Sequence, residues 1–477
     1  MIKFDYNKSY RKGCLVCDEE MLEFVRNHFS EKNPNAAFAN KKLKSQGSNR
    51  IVPDRDYAIQ KNGRFDLGLF AEIENFLRDE QISGVEYSED FLKNVEICGK
   101  NIDSLEGFRS LSLELRDYQL DCLKECLRFG WGTVVSATGS GKSLIQAALL
   151  ESWKETYGKL SCLLIVPGTT LVHQLMKDFK EYGVSFTFSP WTGENDLQST
   201  EVVIVNRENL LAKFNVSSWV VDVGLILMDE CHSGKKSNEI TKLISKIRTR
   251  NKFGFTGTLP KKQIDYWKII GMLGPVIYEK DSKSLRDEKY LSNVEVRILK
   301  LVHPKVPRGG YKKEREFLEN SEVRMDLIVN IANKLKKNVL ILVDRLEYGS
   351  RLLQKFHKFN EKSSWFVSGE MPVEDRRKIM DIMERENNVV CTAMSSIFST
   401  GINIKNIHYI IFTFGGKSFI RTIQSVGRGL RLHESKIKLA LFDLYDNMKY
   451  SMEHVEERKQ FYTEEQIPWT ETIVNLL

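Results

Sequence analysis

Cysteine is too sparse in this chain to build a disulfide scaffold, with eight residues spread through 477. Cys14 and Cys17 make one C-x-x-C, but no second pair follows, and a tetrahedral zinc site needs four ligands. The pair reads as two small apolar residues near a strand, and Cys122 and Cys126 as helix packing. No apolar run is long enough for a bilayer, and the opening MIKFDYNKSYRKG lacks a signal-peptide stretch. The expectation is therefore a cytoplasmic chain. Low-complexity segments and an obvious sequence repeat are also missing. The net charge of +7 is mild; it permits a polyanionic partner without requiring one.

What is present has the balance of a soluble globular protein, 42% hydrophobic and 28% charged, at a length suited to roughly two to four domains. The basic residues are unevenly placed. Residues 31–64 carry eight Lys or Arg against three Asp or Glu, and KVPRGGYKKER (305–315) five against one. Either run suits phosphate contact or a solvated face.

Residues 1–95 read as a small α+β module. EEMLEFVRNHF (19–29) puts Leu22, Val25 and Phe29 on one stripe, DLGLFAEIENFLRD (66–79) does the same with Leu69, Ile73 and Leu77, and Asn62-Gly63 favours a hairpin. From 111 to about 285 short apolar runs (TVVSAT, CLLIVP, VVIVN, GLILMDE, KFGFTGT) alternate with helical stretches, the signature of βαβ units and a parallel sheet. The alternation resumes near 325 with NVLILVD, SWFVSGE, NVVCTA, HYIIFTF and KLALFDL, after a stretch rich in Pro and Gly. Beyond 445 the pattern predicts a helix packed back through Met452, Val455 and Phe461.

Three motifs carry chemistry. In TVVSATGSGKSLIQAALL (133–150), Gly139, Gly141, Lys142 and Ser143 have phosphate-loop spacing, with Ser136 upstream of the cradle where the first glycine is usual. The segment Thr138–Ser143 opens a helix, where backbone N–H groups and the helix dipole hold phosphate. Lys142 would reach the β and γ phosphates, and Ser143 would ligate Mg²⁺. In LILMDECH (225–232), Asp229 ends an apolar strand where a Mg²⁺-holding carboxylate belongs, and Glu230 could activate the attacking water; a polar turn is the plainer reading. In QSVGRGLR (424–431), Arg428 and Arg431 share a helix face and suit either a γ-phosphoryl clamp or structural ion pairs.

In this order the motifs resemble superfamily 2 helicases and translocases, over residues 111–445. LRDYQLDCL (115–123) resembles the adenine-contacting segment, with Arg116, Tyr118 and Gln119. VPGTTLVHQ (166–174), TGT (256–258), VSGEMPVEDR (367–376) and STGINI (399–404, including Gly401) resemble later motifs, although Asn403 stands where the family often has Asp. SATGSGKS, MDECH, FSTGI and a short basic module before LRDYQ resemble the phage recombination-repair branch, which would make the cytoplasm that of a host cell.

The resemblance implies two tandem RecA-like parallel-sheet motor domains after a small α+β domain: 1–95, 96–300, a linker or protruding loop at 301–320, and 321–477 with a C-terminal helix. It implies ATP and Mg²⁺ as cofactors, with Lys142, Asp229, Glu230, Gln424, Arg428 and Arg431 as the catalytic set and His232, Thr256 and Thr258 as coupling residues. The candidate strand contacts are Thr169, Thr170, Asn206, Arg207, Ser368, Ser399 and Thr400, where Ser and Thr also read as helix caps. In the N-terminal module Lys41, Lys42, Lys44 and Arg50 are interleaved with aromatics and suit duplex or junction binding, or a protein-docking face. The implied activity is a monomeric, DNA-stimulated ATPase and helicase on branched DNA or RNA–DNA hybrids in replication, recombination, repair and branch migration. RNA unwinding, duplex translocation without strand separation, and a binding module with a vestigial nucleotide site are the alternatives. No nuclease constellation is recognisable, so cleavage is not expected.

Overall fold

The structure, a computed structural model, describes residues 1–476 apart from 48–50, 101, 103–104, 194–196, 214–217, 233–236, 291–292, 360, 396–405 and 415–437. The chain divides into two compact units, Met1–Ala137 with Gly141–Lys280, and Asp281–Leu477 with Thr138–Ser140.

In the first unit the N-terminal residues form a mixed four-stranded sheet in the order Arg64–Phe65, Lys12–Val16, Ile2–Asn7, Val85–Tyr87. Asn62-Gly63 does turn the chain, but the strand that follows pairs with Lys12–Val16, not with its immediate predecessor. Ile2 and Phe4 alternate inward, and the Phe4 ring packs against Phe65, Phe70, Tyr87 and Phe91. This core continues into Ile264, Trp267 and Ile270 of the helix Gln263–Leu273. At Gly68 a Cβ would lie 1.9 Å from the Ile270 carbonyl oxygen, so only glycine allows that approach. The N-terminal module and the adjoining α/β layer thus share one apolar interior.

The α/β layer holds seven parallel strands in the order Val276–Lys280, Gly132–Ser136, Lys252–Thr256, Leu225–Asp229, Cys162–Val166, Val202–Asn206, Phe188–Trp191. Its inner strands are buried on both faces, which is why they read as continuous apolar runs. Cys162, Leu164 and Val166 join a cluster with the helices Asp117–Phe129, Lys142–Tyr157 and Thr169–Tyr182. Leu163 and Ile165 join the opposite one with Leu210, Ile240 and Leu273. Each fully buried aliphatic side chain contributes about 1.5–3 kcal/mol of transfer free energy. Because the strands are parallel, their carboxyl ends share one edge. That edge gathers the segments following Ser136, Val166, Asn206, Asp229 and Thr256, the position where open α/β sheets bind ligands.

The second unit has its own seven parallel strands, ordered Ser364–Val367, Val390–Met394, Val339–Val343, Tyr409–Phe412, Lys438–Asp446, Asn293–Val302, Trp469–Asn475. Two parallel-sheet domains of RecA-like type therefore follow a small α+β region. The strand Asn293–Val302, placed by sequence at the end of the first domain, pairs in the second sheet, and residues 311–320 of the expected linker are helical. Buried ion pairs tie this unit, Arg324 with Asp446 and Arg458 with Asp443, and His303 Nε2 lies at hydrogen-bond distance from Asp446 Oδ1 at 2.8 Å. In the helix Lys449–Glu464, Val455 and Phe461 are buried as expected, but Met452 is 41% exposed. A further strand, Trp469–Asn475, follows that helix. Among the described residues, no helix is long and apolar enough to cross a membrane.

Candidate active site

The strand Gly132–Ser136 leads into a glycine turn that opens the helix Lys142–Tyr157. Gly139 and Gly141 have φ of +88° and +80°, the left-handed region that side chains resist. At Gly141 a Cβ would also lie 2.4 Å from the Gln119 amide nitrogen. Thr138, Ser140 and Ser143 fill the other loop positions. The Lys142 ammonium donates to the Ser136 carbonyl at 3.1 Å and lies 3.7 Å from the Glu230 carboxylate. Ser143 Oγ is 2.9 Å from Tyr182 Oη.

Gln119 is held over this loop by the start of the helix Asp117–Phe129, where its side-chain oxygen accepts from the Arg116 backbone N–H at 3.0 Å. Arg116 is exposed. Tyr118 is buried: its carbonyl accepts from Tyr278 Oη at 2.9 Å, and the Lys280 ammonium stands 5.9 Å from its ring centroid. Of the adenine-segment residues, Gln119 is the one packed on the glycine turn.

Asp229 ends the strand Leu225–Asp229, and its Oδ1 accepts from Gln146 Nε2 at 3.3 Å. Glu230 has φ of +46°, a left-handed backbone at a non-glycine residue. His232 Nδ1 lies 2.5 Å from Thr256 Oγ1 and 3.4 Å from Glu230 Oε2. The Thr256 hydroxyl donates to the Thr258 carbonyl at 2.7 Å. Its one proton is thereby committed, so His232 Nδ1 is the donor of the pair and carries the hydrogen. A run of contacts thus joins Lys142, Glu230, His232, Thr256 and Thr258.

The donor set suits a hard cation. Ser143 can donate its proton to Tyr182 and keep a lone pair for a metal, and a carboxylate accepting from Gln146 retains capacity at its other lone pairs. Hydroxyl and carboxylate oxygens are the ligands Mg²⁺ takes alongside phosphate and water.

The candidate strand contacts divide. Thr169 is exposed at the start of Thr169–Tyr182, and Ser368 is half-buried just past Ser364–Val367. Asn206 and Arg207 turn inward. Asn206 donates to Glu208 at 3.2 Å. Arg207, 8% exposed, donates to the carbonyls of Asp229 and Glu230 at 3.2 and 2.6 Å. Burial pulls its guanidinium below the ordinary value, opposed by Cys231, Asp229, Glu230 and Glu208. The Arg207 side chain is thus engaged inside the fold. Lys41, Lys42 and Lys44 are exposed on the helix Ala36–Ser45. Arg50, Ser399, Thr400, Gly401, Gln424, Arg428 and Arg431, with the Thr170 side chain, lie outside the described residues.

Sequence reasoning missed Gln146, Tyr182 and Lys280. Gln146 carried a signal, as the one polar residue of the stretch LIQAALL (144–150), one helical turn from Lys142. Tyr182 and Lys280 carried none, since folding alone brings them in.

Residues 112–261 match the family model of the type III restriction enzyme res subunit, and residues 322–433 match that of the helicase conserved C-terminal domain. The chain is 26% identical to the ATP-dependent DNA helicase uvsW of Enterobacteria phage T4, over 97% of both proteins. It is 24% identical to putative helicase 22 of Sulfolobus islandicus filamentous virus, over 70% of this chain and 65% of that one. In fold it resembles the DNA-bound ATP-dependent type ISP restriction-modification enzyme LlaBIII, with a TM-score of 0.57 at 14% identity, over 83% of this chain and 34% of that one.

Proposed function

We infer that the chain is a superfamily 2 helicase that hydrolyses ATP to unwind or migrate branched DNA such as junctions and stalled forks. RNA–DNA hybrids are a second substrate class of the same reading, and the setting is replication, recombination and repair.

The observation that carries this reading is the run of contacts from Lys142 through Glu230 and His232 to Thr256 and Thr258, all on one edge of the first sheet. In it the glycine turn and Lys142 bind the triphosphate, and Gln119 lies beside the nucleotide. Ser143 and Asp229 would hold Mg²⁺, which would supply charge neutralisation to the phosphates when bound. Glu230 orients and deprotonates the attacking water. His232 and Thr256 relay the state of Glu230 to the Thr258 turn. Phosphoryl transfer asks for positioned charge more than covalent help, and these residues are of that kind.

The helix Ala36–Ser45 supports a DNA partner. Lys41, Lys42 and Lys44 lie exposed on it, it carries no acidic residue, and Phe38 beside them is 76% exposed. Ammonium groups bind phosphate without regard to sequence, and an exposed ring stacks on an unpaired base. Both suit a branch point.

The test is ATP turnover in the presence of single-stranded DNA, forked DNA and RNA. Forked DNA should stimulate most. Turnover that stays basal with forked DNA and rises with RNA overturns the proposal.

A further inference from the structure

We propose that Arg207 is a positioning residue for the carboxylate pair, holding Asp229 and Glu230 in a turn that their own backbone disfavours. The proposal rests on the ATP-hydrolysing reading above and adds to it a residue outside the recognised motifs.

The turn is strained. Glu230 sits at φ +46°, a left-handed conformation that residues other than glycine adopt only at a cost. The chain must nonetheless twist there, because the strand ends at Asp229 and the Cys231 N–H already donates to the Phe255 carbonyl of the neighbouring strand at 3.1 Å. One left-handed residue joins these two fixed points. A left-handed residue persists only where its surroundings over-determine it, and the Arg207 guanidinium is such a surrounding. Its Nη2 donates to the Glu230 carbonyl at 2.6 Å and to the Asp229 carbonyl at 3.2 Å, so both sides of the strained residue are gripped by one rigid group.

The origin of Arg207 gives the grip its meaning. It opens the helix Arg207–Lys213 directly after Val202–Asn206. In the sheet that strand is separated from Leu225–Asp229 by Cys162–Val166, so the side chain reaches across the end of the intervening strand. The Glu230 carboxylate lies 3.7 Å from Lys142 and 3.4 Å from His232. Releasing its backbone displaces the carboxylate from both. The segment after Asn206 is therefore mechanically joined to the group that activates water, and a strand pressing on that segment shifts Glu230 through a single guanidinium. Lysine replaces it only in part: both bonds leave one nitrogen, Nη2, whose direction the planar guanidinium fixes, whereas an ammonium on a flexible stem can donate to the same carbonyls without holding them in place.

The test uses the full chain with Arg207→Ala and Arg207→Lys, the lysine variant guarding against simple misfolding of the alanine one. Steady-state ATP turnover with and without forked DNA, DNA affinity against salt, and crystal structures of both variants are measured. The expected result for Arg207→Ala is a kcat about 100-fold lower, the size of loss a misplaced catalytic group produces. KM for ATP and the salt dependence of DNA binding stay near wild type, and Glu230 leaves the left-handed region. Arg207→Lys falls between the two. A folded variant with unchanged Glu230 backbone and near-normal kcat overturns the proposal. So does a selective loss of salt-dependent DNA affinity, which would mark a phosphate contact. If the wild type itself lacks ATP turnover, the functional reading fails, while the Glu230 backbone in the variant crystals still decides the role of Arg207.

Discussion

Lys142, at the start of its helix, and Glu230, directly after a strand far away in sequence, meet with ammonium and carboxylate 3.7 Å apart. The lysine is at the same time held by the Ser136 carbonyl at 3.1 Å. The phosphate-binding group and the water-activating group of the proposed reaction are thus coupled before any domain movement is considered.

Gly141→Ala should disable nucleotide binding. The residue is left-handed, and the new Cβ would collide with the Gln119 amide at 2.4 Å. The collision must be relieved by moving Gln119 or the loop, and both belong to the proposed binding surface. Titration with a fluorescent ATP analogue should show affinity lost by at least about tenfold, about 1.4 kcal/mol. Unchanged affinity would remove the loop from the site.

Replacing Lys41, Lys42 and Lys44 together by Ala should weaken binding to every DNA alike. Each lysine that neutralises a phosphate on duplex contributes ~0.9 to the slope of log affinity against log salt. The triple variant should therefore lower that slope by about two to three. Filter binding across a salt series measures it. Deleting the module outright is a poor test, because Trp267 and Ile270 would lose the apolar partners they share with it.

Lys252 gives a pH signature. Burial pushes its ammonium down to about 8 from 10.5, with Asp66 opposing and Arg11 and Lys12 adding to the fall. Below about pH 8 both folded and unfolded chains carry the proton, and the folded one bears the desolvation penalty. Between there and 10.5 the folded state releases its proton first, so this residue's contribution to stability rises with pH. Lys252→Met should raise stability at pH 7 by at most about 3 kcal/mol and flatten the rise. Thermal melts at pH 7 and pH 9.5 compare the two; a variant less stable at pH 7 would contradict this.

The parts legible in the sequence are those in which one physical requirement dominates. Strands such as CLLIV and LILMD are buried on both faces, so they must be apolar throughout, and the polar residues at their carboxyl ends then stand out. The inward turn of Arg207 was not legible because a basic residue just past a strand looks the same whether it faces solvent or reaches inward. Its direction depends on the Glu230 turn, which belongs to a strand distant in sequence. Trp469–Asn475 escaped notice because TETIVN is mostly polar, as an exposed edge strand must be. The helix Gln263–Leu273 read as an ordinary part of the α/β block, yet Ile264, Trp267 and Ile270 complete the N-terminal core. Met452 fits a helical stripe by spacing alone, and only packing reveals that it is left outside.

Every role proposed for these residues requires that the Lys142 site hydrolyse ATP when DNA is bound. Lys142→Ala, assayed for ATP turnover with saturating forked DNA, tests it most directly. Turnover should fall to background while fork binding survives; forked-DNA-stimulated turnover retained in this variant would rule the Lys142 site out.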